Sequence, residues 1–157
     1  MTWRLNRSDY DRHKGAGNKR ALRRIVASGE PTGILAYQGD EPIGWTAIAP
    51  REVYVGLARS RVLKPVDARQ VWSVTCFYVH RKHRHRGLSR ALLEEAVRYA
   101  VLRGAQIIEG YPQDVHKNLP DAFVWTGLID TFRAVGFQEV ARRSKSRPIM
   151  RLVTTGE

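Results

Sequence analysis

The chain has almost no sulfur chemistry to draw on. Its 157 residues hold one cysteine, Cys76, which excludes an internal disulfide framework and a cysteine-rich zinc site. A lone thiol is compatible with a reducing cytoplasm, the compartment expected here. No stretch approaches the ~18 apolar residues that a membrane span needs. The opening MTWRLNRSDYDRHKG contains no apolar core of signal-peptide length. Internal repeats, low-complexity tracts and Gly/Ser linkers are also lacking. Acidic residues are scarce: 15 Asp and Glu stand against 27 Lys and Arg, for a net charge of +12. That excess attracts polyanions such as nucleic acid, an acidic membrane surface or a phosphate-rich small molecule. Charge alone does not choose among them.

What is present is enough for a packed core. Hydrophobic residues make up 43% of the chain, which argues against global disorder, and the length fits one domain over residues 1–157. Trp3 to Leu5 reads as a short first strand. Asn18 to Ala27 carries Ala21, Leu22, Ile25 and Val26 at helical spacing, stopped by Gly29 and Pro31. Gly33 to Tyr37 and Pro42 to Ala49 read as a hairpin around Gln38-Gly39-Asp40-Glu41. Residues 50–70 suggest a short helix and loop. Val71 to Val79 is almost continuously apolar and β-branched, the pattern of a central buried strand.

Leu88 to Arg103 is the strongest helical segment, with Leu88, Ala91, Leu92, Ala96, Tyr99 and Ala100 at three- and four-residue steps. Gly104 stops it. Gln106 to Tyr111 reads as a further strand and Asp121 to Val135 as a helix. Within that helix Gly127 costs about 1 kcal/mol relative to Ala, and Thr126 is an alternative cap for a shorter one. Phe137 to Arg142 and Ile149 to Val153 form a closing hairpin. The order predicts an α+β domain with a mixed sheet of six to seven strands flanked by helices. The two strands bracketing the long helix should be parallel, with a right-handed crossover.

The densest chemistry lies between the strand ending at Val79 and the helix starting at Leu88. The turn carries Arg81, Lys82, Arg84 and Arg86 around a single glycine, Gly87. Backbone N–H groups at a helix start are unpaired and the helix dipole adds positive charge, so such a turn is an anion cradle. Glycine lets the backbone approach the ligand without a Cβ. A phosphorylated ligand is expected here. His80, His83 and His85 cluster in the same turn, but the interleaved cations oppose a metal ion, and no metal is expected.

These residues resemble the GNAT superfamily of N-acetyltransferases. Val79 is followed by Arg84-His85-Arg86-Gly87-Leu88-Ser89, similar to that family's Arg/Gln-x-x-Gly-x-Gly/Ala signature, with Ser89 where Gly or Ala is usual. Phe132-Arg133-Ala134-Val135-Gly136-Phe137 resembles its later helix-to-strand junction, and the element order agrees. The resemblance implies acetyl-CoA as co-substrate and an amine acceptor, small molecule or protein, as partner. It implies cofactor contacts from the backbone of Phe77, Tyr78 and Val79 and from Arg84, His85, Arg86, Gly87, Leu88 and Ser89. Arg81, Lys82 and Arg90 would add phosphate contacts. A homodimer is common among such relatives; a membrane partner is not implied.

Acetyl transfer to an amine needs a base, an oxyanion donor and a stabilised leaving thiolate. Many relatives use a tyrosine for the last task where this chain has Phe132. Water, Tyr78 or Tyr111 would then serve. Glu109 is the first candidate base, near the end of a strand expected beside the cofactor strand, with Asp114 and His116 as weaker candidates. Cys76 reads as packing rather than as a nucleophile. Phe123, Trp125 and Phe132 read as core, with a cofactor or acceptor pocket as the alternative. Two other functions compete: a non-catalytic acyl-CoA sensor, suggested by Phe132, and a nucleic-acid-binding module, suggested by the charge. For the latter, aromatic residues do not interleave the basic turn as a stacking platform would.

Overall fold

The computed structural model describes residues 2–115 and 124–154. Six strands form one mixed sheet among the described residues, in the order β1-β2-β3-β4-β6-β5. The strands are β1 (Ile34–Gln38), β2 (Glu41–Pro50), β3 (Trp72–Val79), β4 (Ile107–Gly110), β5 (Gln138–Arg142) and β6 (Pro148–Val153). The helices are α1 (Arg7–Arg12), α2 (Ala16–Ala27), α3 (Val55–Ala58), α4 (Leu88–Val101) and α5 (Ile129–Ala134). β3 and β4 are parallel, joined through α4, as the two apolar runs around one long amphipathic helix require. No helix among the described residues is long and apolar enough to cross a membrane.

Apolar groups are buried on both faces of the sheet. On one, Ile48, Val74, Leu92, Leu93, Ile108 and Phe132 pack α4 and α5 against the strands. On the other, Ala49, Tyr54, Leu57, Leu63, Tyr111 and Ile149 form a smaller cluster. A bulge between the two central strands decides which face each cofactor-strand residue serves. Ile48 pairs with Val74 and Ala47 with Cys76, which leaves Thr75 as the extra residue. An inserted residue shifts the alternation by one. Phe77 therefore joins Val74 in the helix-side core, and Cys76 lines a cavity on the other side.

Two expectations are corrected, and one helix is added. Trp3 to Leu5 is a turn rather than a strand: the Trp3 carbonyl accepts from the N–H of Gly56, and the chain turns at once into α1. α1 itself has no counterpart in the periodicity because it buries no residue. Its start is set by Asn6, whose side chain accepts from the N–H of Asp9. The long helix over 121–135 is a helix only from Ile129. Residues 121–123 lie outside the described residues. Gly127 turns in the left-handed region with φ +87°, and Leu128 is extended and bridges to Gln113. The glycine takes up a turn that a helix would have excluded.

Candidate active site

Hydrogen bonding between β3 and β4 ends at the pair Val74 and Gly110. Beyond it the edge of β3 is met by a different segment. The Phe77 N–H donates to the Trp125 carbonyl at 2.6 Å. Val79 lies two residues on, so strand alternation turns its N–H and C=O to the same edge. Its carbonyl accepts from Arg84 Nε at 3.1 Å, which ties the basic turn to the strand end.

The turn then opens α4. Gly87 precedes the first helical residue with φ +78°, and no side chain caps the helix. Only from Arg90 do the N–H groups find a carbonyl, that of Gly87. The amides of Leu88 and Ser89 belong to the first turn, where no intrahelical acceptor exists. His85 also adopts a positive φ, +58°, unlike any other described non-glycine residue. Left-handed residues close together curl successive amides toward one point, an anion-binding concavity.

Strand end, turn and helix start wall a cleft of about 560 Å³, closed on its far side by Val124, Trp125, Gly127, Leu128 and Thr131. Of the expected cofactor residues, Phe77, Tyr78, Val79, Arg84, His85, Gly87, Leu88, Ser89 and Arg90 line it. Arg86 does not, nor do Arg81 and Lys82; all three are exposed. Among the described residues no three His, Cys, Asp or Glu side chains gather as a metal site.

A second cavity of about 130 Å³ lies behind the strand. Thr75 and Cys76 line it, the residues just before Phe77, and Trp125 borders both spaces. Its other walls come from Trp3, Arg4, Leu22, Trp45 and Tyr54. Burial pushes the Cys76 thiol up to about 11. It raises the Tyr54 phenol as well, with Thr75 and Arg4 opposing the shift.

The catalytic candidates separate. Tyr78 is exposed at the cleft wall. Glu109 lines neither cavity; it is 1% exposed and held by Arg151, whose Nη2 and Nε donate to Oε1 at 2.6 and 3.0 Å. Tyr111 donates to its other oxygen at 3.2 Å, and Arg51 stands 3.8 Å from it. Ser73 completes the group, 2.7 Å from the Tyr111 hydroxyl. Tyr111 is thus absorbed in the same buried network, and burial beside Glu109 raises its pKa. Asp114 pairs with Arg142 at 2.7 Å. His116 and Phe123 lie outside the described residues. Phe132 is fully buried, edge-on to Phe77 and Phe137, and touches neither cavity.

Comparison with known proteins bears on the family and the fold. The model of the acetyltransferase (GNAT) family matches residues 2–120. The chain belongs to this family. Similar solved structures include the ribosomal-protein-alanine N-acetyltransferase of Brucella melitensis, at 17% identity and a TM-score of 0.57 over 87% of this chain and 76% of that one. The PaiA N-acetyltransferase of Thermoplasma acidophilum, in complex with coenzyme A, has 16% identity and a TM-score of 0.56 over 94% and 77%. The ribosomal-protein-S18-alanine N-acetyltransferase of Escherichia coli has 16% identity and a TM-score of 0.52 over 86% and 79%. No curated protein matches the sequence.

As a member of the GNAT family the chain is an acyltransferase. Its cavities draw on residues outside the two family-like motifs. Gly127, Leu128 and Thr131 fall inside a stretch with helical spacing, and Trp125 fits core as well as a pocket. Trp3, Arg4, Trp45 and Tyr54 carry no common spacing. Three of the four tryptophans, Trp3, Trp45 and Trp125, meet at one cavity, a convergence that no sequence spacing signals.

Proposed function

We propose that the protein is an N-acetyltransferase that passes the acetyl group of acetyl-CoA directly to a primary amine. The observation that carries this reading is a pair of cavities on the two sides of β3, with Trp125 bordering both. One has the features of an anion cradle; the other is a small aromatic pocket.

The residues present fit the cofactor. The amides of Leu88 and Ser89, the left-handed Gly87 and the surrounding cations suit a pyrophosphate. Ser89 in place of a smaller residue adds a hydroxyl donor at the same helix start. The edge of β3 suits the amide-bearing arm, with one condition: the Phe77 N–H already has a partner in Trp125. Val79 therefore offers the first amide at that edge, and pairing at Phe77 requires an exchange of partners. When bound, acetyl-CoA supplies an activated acyl group and a thiolate that leaves without covalent help from the protein.

In the transfer the amine nitrogen bonds to the acetyl carbon, the carbon–sulfur bond breaks with its electron pair leaving on sulfur, and the ammonium proton passes to water. The chain's part is to align the two reactants, which makes the step effectively unimolecular. No carboxylate among the described residues lines either cavity. Desolvation among the aromatic walls takes the place of a base, because burial lowers an amine's pKa and raises the fraction of free amine. Glu109 is read as structural. Tyr78, at the cleft wall, is the side chain proposed to stabilise the departing thiolate.

Calorimetry with acetyl-CoA tests the reading. Binding is expected in the wild type and strong weakening in Gly87→Asp. There an L side chain is strained at φ +78° and a carboxylate enters the cradle, although no atom lies within 4 Å of the added Cβ. Equal binding by both proteins, or by neither, sinks it.

A further inference from the structure

The small cavity has a chemistry of its own. Trp3, Trp45, Tyr54 and Trp125 come from four distant parts of the chain to wall about 130 Å³. An apolar protein cavity of ~150 Å³ admits benzene, so this space seats one ring or one branched aliphatic group, with the rest of the ligand at its open side. A folded polypeptide surface does not enter it.

Two of its lining residues carry buried polar atoms that lack a well-formed hydrogen bond. Tyr54 is 2% exposed and its hydroxyl makes no well-formed hydrogen bond, with Thr75 and Arg4 as its polar neighbours. The indole N–H of Trp3 is buried and likewise lacks one. Buried groups left in this state cost free energy that a ligand oxygen would recover. Arg4 supplies the one ionised side chain among the described lining residues. Its side chain is only 9% exposed, and its salt-bridge carboxylate, Glu30, is half-exposed and 3.9 Å away. One guanidinium N–H donates to the Pro31 carbonyl, and the group lies 5.2 Å above the Tyr54 ring. A nearly buried guanidinium with so loose a counter-ion is poised for an anion. Asp, Glu and His are absent from the described lining, so nothing there holds a second ammonium.

We infer that this cavity is the acceptor site and that its acceptor is a small amino-carboxylate with an aromatic or branched aliphatic side group, such as a free amino acid. The carboxylate bonds Arg4 and the hydroxyl of Tyr54. The apolar group packs among the tryptophans. The amine is left beside Thr75 and Cys76, on the strand whose next residues line the cofactor cleft. The inference rests on the reading that the cleft binds acetyl-CoA.

Two readouts separate the two readings. Three tryptophans line the cavity, so intrinsic fluorescence reports its occupancy without any acetyl-CoA. Acetylation is followed by free thiol released from acetyl-CoA. The probes are phenylalanine and leucine, their decarboxylated counterparts phenethylamine and isoamylamine, spermidine, and a tripeptide with N-terminal phenylalanine. The amino acids should perturb the fluorescence and turn over. The decarboxylated amines should have kcat/KM lower by about tenfold or more, the usual effect of losing a hydrogen bond to a charged group. Arg4→Gln should erase that difference, Arg4→Lys restore part of it, and Tyr54→Phe raise the amino-acid KM, all with acetyl-CoA affinity unchanged. Equal turnover of phenethylamine and phenylalanine, preference for spermidine or the tripeptide, or an Arg4→Gln variant that still discriminates would overturn it. Amino-acid binding without acetyl-CoA binding would instead sink the cofactor reading alone.

Discussion

The N–H of Phe77 donates to the carbonyl of Trp125 at 2.6 Å, at the point where β4 has stopped pairing with β3. One residue thereby closes the strand edge with its backbone and borders two cavities. Trp125→Ala keeps the carbonyl and removes the ring. Acetyl-CoA affinity and acceptor KM should both weaken, each by a few-fold to about tenfold, the scale of one aromatic contact. Calorimetry and steady-state kinetics measure the two separately. A change in only one would place the indole in a single site.

Glu109 and Arg151 are opposite each other in the β4–β6 register and form a two-bond ion pair in the interior. Arg151 has a second partner, Asp67, whose Oδ2 accepts from Nη1 at 2.7 Å, so loss of the Glu109 charge leaves it half-compensated. Glu109→Gln should therefore lower stability by about 1–3 kcal/mol while leaving acetyl-CoA affinity unchanged. Denaturant unfolding and calorimetry decide it. Full stability with lost turnover would return Glu109 to the role of base.

Phe132 occupies the position where a tyrosine acid would be sought, yet its ring is packed against Gly110, Phe77 and Phe137. A Cβ on Gly110 would overlap that ring. Phe132→Tyr buries a hydroxyl in this apolar contact and should cost about 1–3 kcal/mol, with no gain in kcat. Gly110→Ala should destabilise through overpacking by a similar amount. Thermal melts and thiol-release rates check both variants.

The Cys76 thiol has its pKa pushed up by burial from 9.0 to about 11. A raised thiol pKa means less thiolate at every pH below it, and the thiolate is the reactive form. At pH 8, alkylation by iodoacetamide should be about a hundredfold slower than for a thiol with the ordinary value. The rate should keep climbing up to pH ~11. A fast, pH-flat reaction near neutrality would show that Cys76 is activated.

Much of the cofactor half was legible because it is local. Val71 to Gly104 carries its strand, turn and helix in consecutive residues, and Gly87 marks the left-handed step that starts α4. The helix expected over Asp121 to Val135 failed for the converse reason. Apolar spacing there is equally compatible with a glycine turn, and what selects the turn is pairing of Gln113 with Gly127 and Ile129. The apolar run around Glu109 puts it on a strand beside the cofactor strand, but a strand position does not say which face a carboxylate takes or which cation awaits it. Arg151, 42 residues away, answers that.

The sequence by itself determined the order of elements, the parallel crossover and the basic cradle, because backbone preference, apolar period and helix-end chemistry act over a few residues. Tertiary structure alone decided that Glu109 is an interior ion, that Phe132 is core, and that a bulge at Thr75 turns Cys76 away from the cleft. It also drew Trp3, Arg4, Trp45, Tyr54 and Trp125 around one small cavity. Those outcomes depend on strand register and on contacts between residues far apart in the chain, and no local pattern encodes which distant partner a side chain will meet.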